Sequence, residues 1–283
     1  MKDPIDDRGV QIAALPGAQI AWKSFGQGRP LLLVRGLGTQ LIEWPRAYVD
    51  AWVSAGYRVI VFDNRDCGAS SDHAGEAYSV SDMGDDCVAL LDHLRIERAL
   101  CFGISMGGMI IQRLAVDHSE RFDAFVSVMS STGNPELPRP APEVLEALTA
   151  PAPATLEEAV ARNAADRLLF GSPHWPLPEA ERLVLARRAL ERAWRPDGVT
   201  RQFAAILRDG DRRAALAGVN VPMLVIHGLL DPLVPVDGGR DIAASVPNAE
   251  LELIDGMGHD LPEALAPTIT ERVLRFFSAR APL

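Results

Sequence analysis

Between Pro30 and Ser131, short apolar runs alternate with longer segments of helical periodicity. The runs are LLLV (Leu31 to Val34), RVIVFD (Arg58 to Asp63), ALCFG (Ala99 to Gly103) and AFVSVM (Ala124 to Met129). A strand with one wet face alternates polar and apolar side chains, so runs without that alternation belong to strands covered on both faces. Repeated with helical segments between them, they read as βα units, and an α/β fold with a parallel sheet is expected. Two earlier segments, Val10 to Leu15 and Ala18 to Phe25, flank Pro16-Gly17 and read as an antiparallel hairpin. Strand-like runs resume at Pro222 to Gly228 and Ala249 to Asp255, and a helix is expected from Pro262 to Arg280.

A helix from Val80 to Leu94 follows Ser79, and another, Met106 to Asp117, springs directly from the third run. In the first of these, Met83, Cys87, Leu90, Leu91 and Leu94 recur at helical spacing, which makes Cys87 a core residue. Cys101, inside a strand run, reads the same way, whereas Cys67 lies in a polar loop and is the thiol expected to be exposed. From Gly133-Asn134-Pro135 the chain is punctuated by prolines, with helical segments at Thr155 to Phe170, Glu179 to Trp194 and Gly198 to Leu207. The expected organisation is one core domain, residues 1–133 and 217–283, interrupted by a helical insertion at 134–216.

Composition removes several function classes. The 283 residues carry 28 Lys and Arg against 38 Asp and Glu, a formal charge of −10, which opposes a nucleic-acid surface. Three cysteines are too few and too scattered for a disulfide framework and suit a reducing compartment. The start, MKDPIDDRG, is acidic and broken by Pro4, unlike a secretory signal, and no apolar run approaches the ~20 residues that span a bilayer. A soluble cytoplasmic protein is expected, with a homodimer left open. No H-E-x-x-H, paired C-x-x-C or acidic Ca²⁺ loop is present, and Gly36-Leu37-Gly38 has Leu41 where a dinucleotide fingerprint needs its third glycine. Neither a metal nor a cofactor is expected.

The chemistry concentrates at Gly103-Ile104-Ser105-Met106-Gly107. A G-x-S-x-G match arises by chance in roughly one chain in ten, so its setting decides its meaning. Here it lies where a strand run ends and a helix begins, the corner at which a nucleophilic serine is presented. A serine hydroxyl needs a base, and the base needs an orienting group. Asp231 follows the run MLVIHG, and His259 lies in the Gly-rich turn GMGHD after the last strand. All three follow predicted strands, where ligands bind in an open parallel sheet. Asp237 and Asp255 are alternatives to Asp231, and His227, inside a strand run, reads as a core histidine.

The order Ser, Asp, His, together with GISMGG, DPLVP, G-x-G-H and the corner RGLGTQLIEWP, resembles the α/β-hydrolase fold superfamily with a cap domain. The phrase FDNRDCGAS and the RGLG corner are similar to the carboxylesterase branch of aclacinomycin methylesterase. The resemblance implies a mostly parallel eight-stranded sheet flanked by helices, and a serine esterase acting on a small-molecule ester. It implies Ser105 as nucleophile, His259 as base, Asp231 as orienting acid, and the backbone N–H groups of Leu37 and Met106 as the oxyanion hole. Alternatives on the same three residues are lactone hydrolysis, carbon–carbon bond hydrolysis and cofactor-free perhydrolysis; a ligand-binding receptor on the same fold is the alternative outside catalysis. Arg35 stands where the family often has histidine. It reads either as a substrate contact or, preferred, as an ion-pair partner of Asp63, Asp66 or Glu43. Gly36, Trp175 and Trp194 complete the expected substrate contacts, with the two tryptophans read either as lining an acyl pocket or as filling the core of the insertion.

Overall fold

The computed structural model describes residues 4–282; residues 1–3 and 283, the outer ends of the expected core segments, lie outside it. In chain order the strands are β1 (Gln11–Leu15), β2 (Ala18–Phe25), β3 (Arg29–Val34), β4 (Tyr57–Phe62), β5 (Ala99–Ile104), β6 (Phe122–Val128), β7 (Met223–Gly228) and β8 (Glu250–Ile254). They form one eight-stranded sheet in the order β1-β2-β4-β3-β5-β6-β7-β8. The first two are the expected hairpin, with β2 antiparallel to β4, and every pairing from β4–β3 to β7–β8 is parallel.

The helices are α1 (Arg46–Ser54), α2 (Val80–His93), α3 (Met106–Asp117), α4 (Pro142–Thr149), α5 (Leu156–Leu169), α6 (Glu179–Arg192), α7 (Pro196–Asp209), α8 (Arg213–Leu216), α9 (Asp237–Ser245) and α10 (Ala266–Arg280). Period-two geometry sends alternate strand residues to opposite faces. Leu32, Val34, Ile60 and Phe62 pack with Met83, Cys87 and Leu90 of α2 and Ile110, Ile111 and Leu114 of α3. Their neighbours Leu31, Leu33, Val59 and Val61 pack with Trp52 of α1 and Val273, Phe276 and Phe277 of α10. That two-sided covering is the reason the strand runs show no polar alternation. Helices α4 to α8 lie between β6 and β7, and α5 and α6 share a small core of Val160, Ala164 and Ala186. Helices α1, α4, α8 and α9 carry no clear sequence signal: α4 buries only Val144, α8 has four residues, and α9 has Gly238-Gly239 in its first turn.

Strand order also fixes where a site can form. From β3 the chain moves to β4 on one side and then crosses to β5 on the other, so the loops leaving β3 and β5 part company at a topological switch point. The register Val34↔Gly103 brings Arg35 and Gly36 alongside Ile104 and Ser105.

Cys67 corrects one expectation. It is buried rather than exposed, its Sγ donates to the Thr39 carbonyl at 3.3 Å, and burial, reinforced by Asp63 and Glu43, pushes its thiol well above the ordinary range. The polar loop around it folds inward because its polar groups are spent internally. No helix among the described residues is long and apolar enough to cross a membrane.

Candidate active site

Ser105 joins the end of β5 to the start of α3 with φ 54° and ψ −119°, a left-handed conformation that costs a non-glycine residue about 1–3 kcal/mol and clusters at functional sites. Its neighbours make that turn possible. A Cβ on Gly103 would lie 2.3 Å from the Gly107 carbonyl oxygen, and one on Gly107 would lie 2.2 Å from that of Val34. The turn is pinned by its own backbone: Ser105 N–H donates to Val128 O at 2.9 Å, and Ser130 Oγ donates to Ser105 O at 2.8 Å.

His259 Nε2 lies 2.9 Å from Ser105 Oγ, and His259 Nδ1 lies 2.7 Å from Asp231 Oδ2. The other carboxylate oxygen of Asp231 accepts the N–H groups of Leu233 and Val234 at 2.9 and 2.8 Å. Burial pushes the Asp231 carboxyl up, but the charge and hydrogen bonds of His259 and His227 outweigh it and hold it down at about 2. The rival acids are engaged elsewhere or face water: Asp237 is half-buried and pairs with Arg240, and Asp255 is exposed.

The loop after β3 passes so close to Ser105 that a Cβ on Gly36 would lie 3.1 Å from the serine Cβ. Met106 N–H is the first of α3 and has no intrahelical acceptor, with the positive end of the helix dipole behind it. The loop is fastened by helices that lie between β6 and β7 in the chain. Gly38 N–H donates to Gln202 Oε1 of α7 at 2.8 Å, and Gln40 Nε2 donates to Ala189 O of α6 at 2.7 Å.

Arg35 does not form the expected ion pair. Each of the three carboxylates is taken by an arginine of α5 to α7: Asp63 by Arg192, Asp66 by Arg201 and Glu43 by Arg167. Arg35 instead lies over the Trp44 ring, 4.9 Å from its centroid, with Nε donating to Thr39 Oγ1 at 3.2 Å. Burial without a carboxylate contact lowers its pKa to about 10, with Glu43 partly opposing. Asp63 fixes the turn after β4, accepting from Leu41 N–H at 2.7 Å and Ala69 N–H at 2.9 Å.

Residues 29–263 match the alpha/beta hydrolase fold family. The chain belongs to that family. Among its relatives, rhodomycin D methylesterase DnrP of Streptomyces peucetius is 31% identical over 259 residues, covering 83% of this chain and 86% of that one. 3-Oxoadipate enol-lactonase 2 of Acinetobacter baylyi is 31% identical over 242 residues, covering 83% and 84%. A hydrolase structure from Pseudomonas aeruginosa superposes with a TM-score of 0.75 at 28% identity, over 96% of this chain and 99% of that one. The eight-stranded, mostly parallel sheet flanked by helices is the family's α/β-hydrolase architecture.

Within this hydrolase frame, one neighbour of the site escaped the sequence reading. His227 is fully buried at the end of β7, with Nε2 2.9 Å from the Val234 carbonyl and 3.5 Å from Asp231 Oδ2. A carbonyl only accepts, so Nε2 carries the proton, and Nδ1, packed against Gly239, is left without a partner. The i, i+4 spacing of His227 and Asp231 was visible, but their contact depends on a turn that no helix or strand pattern encodes. Trp175 is half-buried against the main core rather than in the small core shared by α5 and α6, and Trp194 is half-buried.

Proposed function

We propose that the chain is a serine hydrolase that cleaves carboxylic esters through a covalent acyl-enzyme on Ser105. The observation that carries this reading is the unbroken line of contacts from Ser105 Oγ through His259 to Asp231, set on a strained turn. His259 Nε2 takes the serine proton as Oγ attacks the carbonyl carbon. Asp231, accepting from Nδ1–H, fixes the tautomer and steadies the imidazolium. The N–H groups of Leu37 and Met106 hold the oxyanion, a role in which one lost donor costs about 100- to 1,000-fold in rate. His259 then returns its proton to the departing alcohol oxygen. Water, deprotonated by the same imidazole, releases the acid.

Residues 134–216 act as a cap that keeps bulk water from the acyl-enzyme and sets substrate size. Gly36, Trp175 and Trp194 contact substrate, while Arg35, packed on Trp44, holds the oxyanion loop. Ester cleavage is supported by the methylesterase relative. Lactone hydrolysis, which opens the same acyl–oxygen bond within a ring, is the second reading and has the enol-lactonase relative in its favour. The three unpaired, buried thiols suit a cytoplasmic location.

Initial rates on methyl and p-nitrophenyl esters of graded acyl length, beside simple lactones, test the reading. Turnover of esters that falls at least 1,000-fold in Ser105→Ala supports it; preference for lactones selects the second reading, and turnover surviving in Ser105→Ala refutes both.

A further inference from the structure

The loop that carries His259 is bonded to the helical insertion as much as to the sheet. His259 N–H donates to Phe170 O at 2.7 Å, and Gly258 N–H donates to Ser172 Oγ at 2.8 Å. Ser172 answers with two bonds to one atom: its N–H donates to Asp260 Oδ1 at 3.0 Å, and its hydroxyl donates to the same oxygen. His174 N–H donates to Gly256 O at 3.4 Å. Ser172 is 1% exposed, so water competes little for its own bonds.

The fit is tight. A Cβ on Gly258 would lie 2.4 Å from the Gly171 carbonyl oxygen, and one on Gly256 would run into the His174 ring at 2.0 Å. The sheet side of the same loop is held through Met257, whose carbonyl accepts Leu230 N–H at 3.1 Å. Both N–H groups nearest the imidazole therefore end on atoms of residues 170–172, just beyond α5.

We propose that Phe170–Ser172 and Asp260 form a clasp by which the insertion holds His259 in register with Ser105, and that Ser172 and Asp260 are positioning residues. The proposal rests on the reading of His259 as the base. Backbone bonds to Gly258 and His259 transmit any shift of the α5 end directly to the imidazole, and a displacement of about 1 Å at a reacting group can cost about 100-fold in rate. Burial raises the Asp260 carboxyl above its ordinary range, although its bonds to Ser172 oppose that shift. The clasp oxygen needs only to accept, so an amide there should serve almost as well as a carboxylate. It follows that the insertion cannot leave the site at this end without dismantling the site, and that substrate is admitted elsewhere.

The test compares Ser172→Ala, Asp260→Ala and Asp260→Asn with Thr155→Ala, which removes the N-cap of α5 (Thr155 Oγ1 accepts Glu158 N–H at 3.2 Å) and touches nothing in the loop. Three readouts are taken: the rate of covalent inactivation by a fluorophosphonate, the far-downfield proton resonance of His259 Nδ1–H, and the melting temperature. Ser172→Ala and Asp260→Ala should be inactivated about 10- to 100-fold more slowly, with the resonance shifted or lost. Asp260→Asn should stay within about 3-fold of the parent, because its oxygen still accepts. Thr155→Ala should melt earlier yet keep the parental rate and resonance. Parental rates and resonance in Ser172→Ala and Asp260→Ala, or equal slowing in Thr155→Ala, would overturn the clasp. If the parent itself resists the probe, the hydrolase reading fails, and the resonance alone still decides whether Ser172 and Asp260 hold His259 against Asp231.

Discussion

His227 sits beneath Asp231, with Nε2 3.5 Å from the same Oδ2 that receives His259 Nδ1 at 2.7 Å. One carboxylate oxygen thus lies between two imidazoles, one in the core and one facing Ser105. The core imidazole also ties the Asp231 turn shut, because its Nε2–H reaches the Val234 carbonyl at 2.9 Å.

Replacing His227 with Phe removes that donor and leaves the part-buried Val234 carbonyl without it, so stability should fall by about 1–3 kcal/mol and kcat should drop with it. His227→Gln, whose amide nitrogen can occupy the Nε2 position, should recover most of both. Urea unfolding and ester turnover of the two variants check this; equal losses in both would contradict it.

Asp231 should leave a signature in the acid limb of stability. Its folded value of about 2 lies below its ordinary 3.8, so its contribution is complete above about pH 4 and is lost as pH falls towards 2. The size is ~2 kcal/mol at 1.36 kcal/mol per pKa unit. Asp231→Asn should be less stable at neutral pH and show a shallower loss between pH 4 and 2. Parallel stability curves for the two proteins would refute the assignment.

Two glycines on neighbouring helices should respond in opposite directions. Gly107→Ala places a Cβ 2.2 Å from Val34 O and should abolish fluorophosphonate labelling while lowering the melting temperature. Gly84, inside α2, meets only Leu114 side-chain atoms at 3.5 and 3.7 Å, an ordinary contact. Gly84→Ala should therefore stabilise by about 0.5–1 kcal/mol, the usual gain from removing a mid-helix glycine, and leave labelling untouched. Thermal melts and labelling rates of both variants decide it.

Asp63 should be among the costliest carboxylates to remove. It is fully buried, accepts Leu41 and Ala69 N–H, and pairs with Arg192 of α6 at 2.8 Å. Asp63→Ala leaves two N–H groups without their acceptor and Arg192 with only Asp7 and Gln40 as partners, and should cost about 3–5 kcal/mol, whereas Asp63→Asn should cost less. Chemical denaturation of both variants measures the difference.

What the sequence discloses follows the range of the interactions involved. Strands buried on both faces and the Ser105 corner are encoded by adjacent residues, and β2 and α3 run between the residues their patterns indicate. The placement of Asp231 and His259 near Ser105 is legible because each lies in the loop that follows its strand. Arg35 was not, because the carboxylates near it in sequence are claimed by Arg192, Arg201 and Arg167, more than 120 residues away. Cys67 was misplaced for the same reason: a polar loop looks exposed until its bonding partners are known. The clasp at Ser172 joins residues 86 to 88 positions apart, and no local pattern announces it.

The central claim is that Ser105 becomes acylated with His259 as its base. Intact-mass spectrometry after fluorophosphonate treatment, alongside pre-steady-state kinetics with a p-nitrophenyl ester, tests it most directly. The account predicts a single adduct on the parent and a burst equal to the enzyme concentration, no adduct on Ser105→Ala, and labelling slowed at least 1,000-fold in His259→Ala. An adduct that persists in Ser105→Ala, or a parent that neither labels nor bursts, would contradict it.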